Sequence, residues 1–154
     1  MQKMANIFWC TGMSGSGKTT LASHAKLELE KINLEILIID GDVVRNKYQI
    51  QLGFSRDDII KNNLNAAQIC KDERANYDGI VVPIISPIEV ARVRVKKLLS
   101  PNFYLVYLHA DIKSLETRDP KGLYKKARQG LINNLIGYSD SNPYDIPKEF
   151  DLKI

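Results

Sequence analysis

A glycine-rich segment that directly follows an apolar run constrains the fold of this chain more than any other feature. The apolar run covers residues 7–10 and predicts a strand, and the segment after it has the spacing of a phosphate-binding loop that opens a helix. Glycines in such a loop let successive backbone N–H groups turn toward phosphate oxygens, and the dipole of the following helix favours the anion. The segment consists of Gly12, Met13, Ser14, Gly15, Ser16, Gly17, Lys18, Thr19 and Thr20. We therefore predict a P-loop fold that binds a nucleoside triphosphate.

Two side chains at the end of this loop have predicted roles in phosphate binding. The Lys18 ammonium is expected to reach the outer phosphates, and the Thr19 hydroxyl is expected to ligate Mg²⁺. A flexible Gly/Ser loop can match the pattern by chance, but the strand and the helix that the motif requires are both predicted around it. The pattern therefore favours a nucleotide site with Mg²⁺ as a cofactor.

Short apolar runs alternate with helical stretches along most of the chain. Strands are predicted at residues 7–10, 34–39, 80–85 and 103–108, with helices at 18–31 and 55–76. This alternation predicts an α/β fold, here a P-loop NTPase with a doubly wound, mostly parallel sheet and helices on both faces. Ser55 and Asp58 have the spacing of a capping box at the start of the second helix. With 154 residues and 44% apolar content, the chain predicts a single domain over residues 1–154.

The net charge narrows the class of ligand. Lys and Arg number 22 against 18 Asp and Glu, and this excess of +4 favours small phosphate-bearing anions over a nucleic-acid surface.

No apolar run approaches the length of a membrane span and the N-terminus lacks a signal-peptide pattern, so we expect a cytoplasmic protein without a membrane partner. Cys10 and Cys70 fall in a predicted strand and a predicted helix, and we expect both to be buried free thiols.

Two carboxylates and a guanidinium follow the second predicted strand, as Asp40, Asp42 and Arg45. Open α/β sheets bind their ligands at this carboxyl edge. Phosphoryl transfer needs an acidic group that positions Mg²⁺ or accepts the proton of an acceptor hydroxyl, and a cation that holds an anionic acceptor. From this segment alone, Asp42 acting only as a helix cap is equally compatible. Together with the phosphate-binding loop, the segment favours a functional role for Asp42 and Arg45.

A basic segment near the C-terminus predicts a lid. Residues 118–128 carry five cationic side chains in eleven residues, around Pro120 and Gly122, which interrupt regular structure. The alternative is an ordinary solvated charged helix. Cations that close over a triphosphate stabilise developing charge and exclude water that competes with the acceptor. We therefore expect a mobile basic lid over residues 118–137, followed by an irregular tail.

Several blocks of the chain occur in an order that is typical of one known family. They are residues 8–20, 40–45, 52–55, 85–87, 118–128 and 142–144, and the block at 119–128 is the most specific. On these blocks the chain resembles the adenylylsulfate kinases over nearly its whole length. The resemblance implies transfer of the γ-phosphoryl group of ATP to the 3′-hydroxyl of adenosine 5′-phosphosulfate, and it implies a homodimer.

The same resemblance implies roles for individual side chains. Asp42 is similar to the acidic residue near the acceptor hydroxyl, and Lys125 is similar to the lid lysine. Ser86 falls where the family pattern marks a proposed phosphoserine intermediate, but in-line transfer needs no covalent step, so a hydroxyl that bonds nearby groups is favoured. The implied catalytic set is thus Lys18, Asp42, Ser86 and Lys125. The implied acceptor-binding set is Asp40, Arg45, Phe54, Asn62, Ile85, Ser86, Lys125 and Leu135, in which Phe54 stacks on adenine.

Departures from the family pattern cluster on the acceptor side. Three expected arginines are missing from residues 58–65, Ile88 and Glu89 replace an aromatic residue and an arginine, and Leu135 replaces a second stacking ring. One bidentate arginine contributes much of the affinity for an anion, so another acceptor nucleotide such as cytidine diphosphoramidate is an alternative. The arginines available to compensate are Arg56, Arg92 and Arg94. A non-catalytic ATP-binding module is a further alternative, whereas a GTPase is disfavoured because no Asn-Lys-x-Asp motif is present.

Overall fold

The computed structural model describes residues 2–49 and 51–154, and its centre is a parallel sheet. The described strands are β1 (Asn6–Thr11), β2 (Ile36–Ile38), β3 (Gly79–Pro83), β4 (Phe103–Tyr107) and β5 (Leu152–Lys153). Their order in the sheet is β2-β3-β1-β4-β5, and every neighbouring pair is parallel. The predicted α/β fold is confirmed.

Helices fill the connections between these strands. They are α1 (Lys18–Glu30), α2 (Gly41–Tyr48), α3 (Arg56–Glu73), α4 (Glu89–Leu99), α5 (Ile112–Arg118) and α6 (Leu123–Arg128). The second and third strands are shorter than predicted, for local reasons. The Glu35 N–H is bonded to the Asp78 carboxylate at 2.7 Å, and the Ile84 N–H turns back to the Val82 carbonyl at 3.1 Å. The chain therefore enters β2 late and leaves β3 early.

Side chains alternate between the two faces of the central strand, as the pleat requires. Ile7 and Trp9 pack in one cluster with residues of α3 and α4, and Phe8 and Cys10 pack in another with residues of α1. Helices therefore cover both faces, as predicted. The buried members contributed by the helices are Val44, Ala66, Ala67, Ile69, Cys70, Val95 and Leu99 on the first face and Ala22 on the second. Cys10 and Cys70 are buried free thiols, again as predicted.

Two helix caps settle local predictions. The Ser55 hydroxyl accepts the Asp58 N–H at 3.1 Å, so α3 begins as predicted. The Asp58 carboxylate accepts from the Gly53 N–H at 3.1 Å, however, so it fastens the preceding loop instead of closing a reciprocal box on Ser55. Asp40 is the N-cap of α2 and accepts the Val43 N–H at 3.0 Å. The capping role considered for Asp42 thus belongs to Asp40.

The expectation of an irregular tail after the lid is wrong at the end of the chain. The Ile154 N–H donates to the Tyr107 carbonyl at 2.9 Å, and the Asp151 carboxylate accepts the Leu105 N–H at 2.7 Å. These bonds add β5 to the edge of β4. Because β5 has only two residues, it carries no periodic pattern from which it could be predicted. Among the described residues, no helix is both long and apolar enough to cross a membrane.

Candidate functional site

The phosphate-binding loop joins β1 to α1 at the carboxyl edge of the sheet. A Cβ atom on Gly12 would lie 2.6 Å from the Leu108 carbonyl and 2.7 Å from the Ser16 hydroxyl, so the chain needs glycine at that point. Gly17 has a φ of 100°, in the left-handed region, and immediately precedes α1. The predicted loop therefore forms a tight turn at the N-terminus of α1.

Lys18 lies inside this loop, with a side chain that is only 8% exposed. Its ammonium donates to the Gly12 and Met13 carbonyls, both at 2.8 Å, and to the Ser16 hydroxyl at 3.3 Å. Burial lowers the pKa of Lys18 to about 8, an effect that Cys10 partly opposes and the lid residue Lys121 increases. The pKa of Lys18 is therefore lowered mainly by its burial in the loop.

The first turn of α1 presents hydroxyl groups to solvent. Thr19 and Thr20 are exposed there, next to Lys18. Across residues 2–49 and 51–154, no group of three or more His, Cys, Asp or Glu side chains is placed to hold a metal ion. The exposed Thr19 hydroxyl is an oxygen donor of the kind that Mg²⁺ accepts as a ligand.

The carboxylate segment forms the next part of the same edge. Asp42 lies in the first turn of α2 and pairs with Arg45. Both side chains are open to solvent, with exposed fractions of 79% for Asp42 and 61% for Arg45. The structure brings this predicted pair together and leaves both groups accessible. An exposed carboxylate is able to accept a proton, and an exposed guanidinium is able to hold an anion.

Phe54 and Asn62 flank the start of α3. The ring of Phe54 is 58% exposed, and the loop that carries it is held by the bond from Gly53 to Asp58 and by the Ser55 cap. Asn62 is half-buried on α3, which packs against α2. An exposed aromatic ring on a fastened loop is suited to stacking on a planar base.

Ser86 is buried where the chain leaves β3, and its hydroxyl is fully engaged. It is 1% exposed, accepts the Trp9 indole N–H at 3.0 Å and donates to the Asn63 side-chain oxygen at 2.6 Å. Its φ of 47° is a strained value for serine. The preceding Ile85 carbonyl accepts the Thr11 hydroxyl at 2.7 Å. These contacts give Ser86 a bridging role between strand and helix.

Arg92 does not compensate for the missing acceptor-side arginines. It is 2% exposed, and its guanidinium is bound to the Glu89 carboxylate at 2.6 Å and to the Ser86 carbonyl at 2.6 Å. The same group also binds the Asp145 carbonyl and lies 5.6 Å from the ring centre of Tyr144. Glu89, which stands where the family pattern has an arginine, therefore forms an ion pair with Arg92 within the protein.

The basic segment that the sequence predicts as a lid packs on the phosphate-binding loop, where the Tyr124 hydroxyl donates to the Ser14 carbonyl at 2.7 Å. The Asp119 carboxylate accepts the backbone N–H groups of Tyr124 and Lys125, both at 3.0 Å, which starts α6. Lys125 is exposed. Leu135 is 7% exposed and belongs to a small core with Leu115 and Tyr124. Most of the Leu135 side chain therefore serves the lid core, with little surface left for an acceptor base.

Sequence reasoning missed the polar network behind the site. Tyr144 and Thr11 share a hydroxyl hydrogen bond of 2.7 Å, and Thr11 leads into the loop at Gly12. The other residues without a sequence-based role are Trp9, Asn63 and Tyr124. Tyr124 and Tyr144 lie in blocks that carried the family resemblance, which is a signal that these tyrosines have a role.

Comparisons with known proteins agree on one family. The sequence model described as adenylylsulphate kinase matches residues 4–154. Adenylyl-sulfate kinases of Clostridium kluyveri and Acaryochloris marina are 39% and 40% identical, over 92% and 95% of this chain and 70% and 71% of those proteins. A solved APS kinase of Mycobacterium tuberculosis, in complex with AMPPNP and APS, has 31% identity and a TM-score of 0.87 and covers 99% of this chain and 88% of its own. The matched region contains the loop, the carboxylate segment and the lid.

Proposed function

Because this chain belongs to the adenylylsulphate kinase family, we propose that it transfers the γ-phosphoryl group of ATP to the 3′-hydroxyl of adenosine 5′-phosphosulfate (APS). The product is 3′-phosphoadenosine 5′-phosphosulfate. The observation that carries this proposal is the match of one family model across residues 4–154, since it unites the phosphate-binding loop with the lid and the acceptor segment. We also propose that residues 1–154 are one kinase domain with a lid at 118–137.

On the ATP side, the loop supplies backbone N–H groups and the Lys18 ammonium to the phosphates. The hydroxyl of Thr19 would be a protein ligand for Mg²⁺, which, when bound, would supply positive charge to the phosphates. Lys125, on the exposed side of α6, approaches the transferred phosphoryl group when the lid closes. The remaining loop contacts come from Gly12, Ser14, Gly15, Ser16, Gly17 and Thr20.

On the acceptor side, Asp42 orients the acceptor hydroxyl and takes its proton as the new P–O bond forms, while the bond between the γ-phosphorus and the β–γ bridging oxygen breaks and ADP leaves. Arg45 holds the 5′ anion, and Phe54 stacks on the base. Asp40 contributes by fixing the first turn of α2, where its cap holds Asp42 in place. Asn62 and the Ile85 backbone complete the proposed acceptor site. Ser86 takes no covalent part, because its hydroxyl is buried and bonded to Trp9 and Asn63.

A second candidate acceptor is favoured by particular residues. Ile59, Leu64 and Asn65 stand in the segment where the family pattern has arginines, and Arg92 is already occupied by Glu89. Leu135 offers no ring for stacking. A nucleotide with a smaller base and a less anionic 5′ group, such as cytidine diphosphoramidate, would need fewer of these contacts.

The test is a coupled assay of ADP release with ATP and Mg²⁺, in which APS is compared with a panel of adenosine and cytidine nucleotides. The Lys18→Ala variant, prepared identically, corrects for contaminating ATPase, and NMR of the product locates the new phosphate. Fast turnover of APS supports the first proposal. Preference for another nucleotide replaces it with the second. No turnover of any acceptor, together with normal ATP binding, favours a non-catalytic module and contradicts both.

We further propose that the active protein is a homodimer, as the family resemblance implies. Size-exclusion chromatography with light scattering tests this directly. A mass twice that of the 17.5 kDa chain supports the proposal, and a monomer mass at assay concentration contradicts it.

A further inference from the structure

We propose that Tyr124 is a positioning residue of the phosphate-binding loop, whose hydroxyl orients the Ser14–Gly15 peptide so that the Gly15 N–H faces the bound phosphates. The inference rests on the nucleotide-binding half of the proposed function and is independent of the acceptor. Tyr124 would thus help to shape the ATP site, in addition to the charge that the lid lysines supply.

The carrying observation is a long-range hydrogen bond between the lid and the loop. The Tyr124 hydroxyl donates to the Ser14 carbonyl at 2.7 Å, across 110 residues of sequence. Tyr124 is 1% exposed and Ser14 is half-buried, so the bond is partly shielded from water. Its length is ideal for a hydroxyl donor, and its loss would leave the buried phenol side without this partner.

Because the peptide group is planar, the hydrogen bond to the Ser14 carbonyl also fixes the direction of the Gly15 N–H. In a trans peptide the C=O and the following N–H point in opposite directions within one plane. The Ser14 carbonyl is held on the lid side, so the N–H of Gly15 is turned away from the lid core. Gly15 has a φ of 81°, which only glycine adopts easily, and so this peptide is free to flip unless something restrains it. Tyr124 is that restraint.

Tyr124 is itself rigidly held. The Asp119 carboxylate accepts its backbone N–H at 3.0 Å, and its ring packs edge-on against Tyr138 with a centroid separation of 5.5 Å. Leu115 and Leu135 complete the small core around it. Burial, with a smaller contribution from Asp119, raises the pKa of Tyr124 to about 12, so the phenol remains a donor at every pH where the enzyme would work.

A neighbouring contact shows that the lid meets the tip of the loop at the same point. An ideal Cβ on Gly15 would lie 3.5 Å from the ring of Pro120 and 3.8 Å from the side chain of Leu115. The outer side of the Ser14–Gly15 peptide is therefore already occupied by lid residues.

The experiment compares Tyr124→Phe with Tyr138→Phe by titration calorimetry against ATP, ADP and AMP. The two variants each remove one hydroxyl from the same small core, but only the first removes the bond to the loop. We expect Tyr124→Phe to weaken ATP and ADP binding roughly five- to tenfold and to leave AMP, which lacks the outer phosphates, unchanged. Tyr138→Phe should bind all three like the wild type.

A second readout follows the loop peptide itself. In ¹H–¹⁵N spectra of the wild type, the chemical shift of the Gly15 amide should change strongly when ADP binds. This change in chemical shift should be lost in Tyr124→Phe. The melting temperatures of Tyr124→Phe and Tyr138→Phe should stay similar. Normal ATP affinity in Tyr124→Phe, or an equal loss of affinity for AMP, overturns the inference. Wild-type protein that binds ATP but turns over no acceptor refutes the proposed function and leaves this test intact. Wild-type protein that binds no ATP overturns both.

Discussion

The phosphate-binding loop and the acceptor segment share one edge of the sheet but differ in how they are held. The loop lysine is 8% exposed and makes three hydrogen bonds, and the loop tip is bonded to a buried lid tyrosine. On the acceptor side, Asp42, Arg45 and Phe54 have exposed fractions of 79%, 61% and 58%. The ATP side is therefore organised by the protein alone, whereas the acceptor side offers open groups to a ligand.

This difference has an energetic meaning. Groups that are already ordered lose little entropy when a ligand binds, so the loop is prepared for triphosphate before it arrives. Asp42 and Arg45 are restrained mainly by their mutual ion pair, so a bound acceptor would have more ordering left to do on this side. Changes in the loop should thus affect both binding and chemistry, and changes near Asp42 should affect chemistry with the acceptor alone.

The largest expected effect comes from Lys18→Ala. Removing the ammonium takes away a positive charge that would stabilise the phosphoryl group in the transition state. We therefore expect turnover to fall by about 10³-fold or more. ATP affinity should fall as well, since the proposed contact of the ammonium with the phosphates would also be made in the ground state. Steady-state kinetics and calorimetry measure the two effects. Unchanged turnover would remove the loop from the mechanism.

Asp42→Asn sharpens the comparison, because it should separate chemistry from ATP binding. We expect kcat to fall about 10²- to 10⁴-fold through loss of the proton acceptor. The dissociation constant of ATP should stay within about twofold, since Asp42 lies outside the loop. Asp72→Asn, an exposed carboxylate on α3, is the matched control and should keep full activity. Weakened ATP binding with normal kcat would place Asp42 on the ATP side.

The lowered pKa of Lys18 predicts a pH dependence that is confined to the ATP side. Burial brings this pKa from 10.5 to about 8, so the ammonium loses its proton as the pH rises through about 8. Binding of phosphates requires the protonated form, and kcat/KM for ATP should therefore fall about tenfold per pH unit above that value. With saturating ATP the fall should begin at higher pH, because bound phosphate stabilises the ammonium. A kcat/KM for ATP that stays flat to pH 9.5 would contradict the buried environment of Lys18.

The two sides also differ in how far the sequence alone reveals them. The loop is a local pattern, so its nine residues could be identified without tertiary structure, and their individual roles stay predictions. The contacts that hold it could not, because Tyr124 meets Ser14 across 110 residues and Trp9 meets Ser86 across 77. Leu135 is another residue whose tertiary contacts the sequence alone does not reveal. Its alignment with a stacking ring predicts an acceptor contact, but packing of the lid places most of its side chain in a core.

Ser86→Ala should have the smallest effect on activity, and it tests whether the buried network is structural or chemical. Loss of the hydroxyl leaves the Trp9 N–H and the Asn63 oxygen without a partner, which should cost about 1–3 kcal/mol of unfolding free energy. Turnover should stay within a few-fold of the wild type, because in-line transfer needs no covalent step. Asn63→Ala is the control, since it breaks the same network and leaves the hydroxyl of Ser86 in place. Matching losses of stability with activity retained in both variants support a bridging role. An inactive Ser86→Ala beside an active Asn63→Ala would instead require a phosphoserine, and the buried hydroxyl would then have to become exposed during turnover.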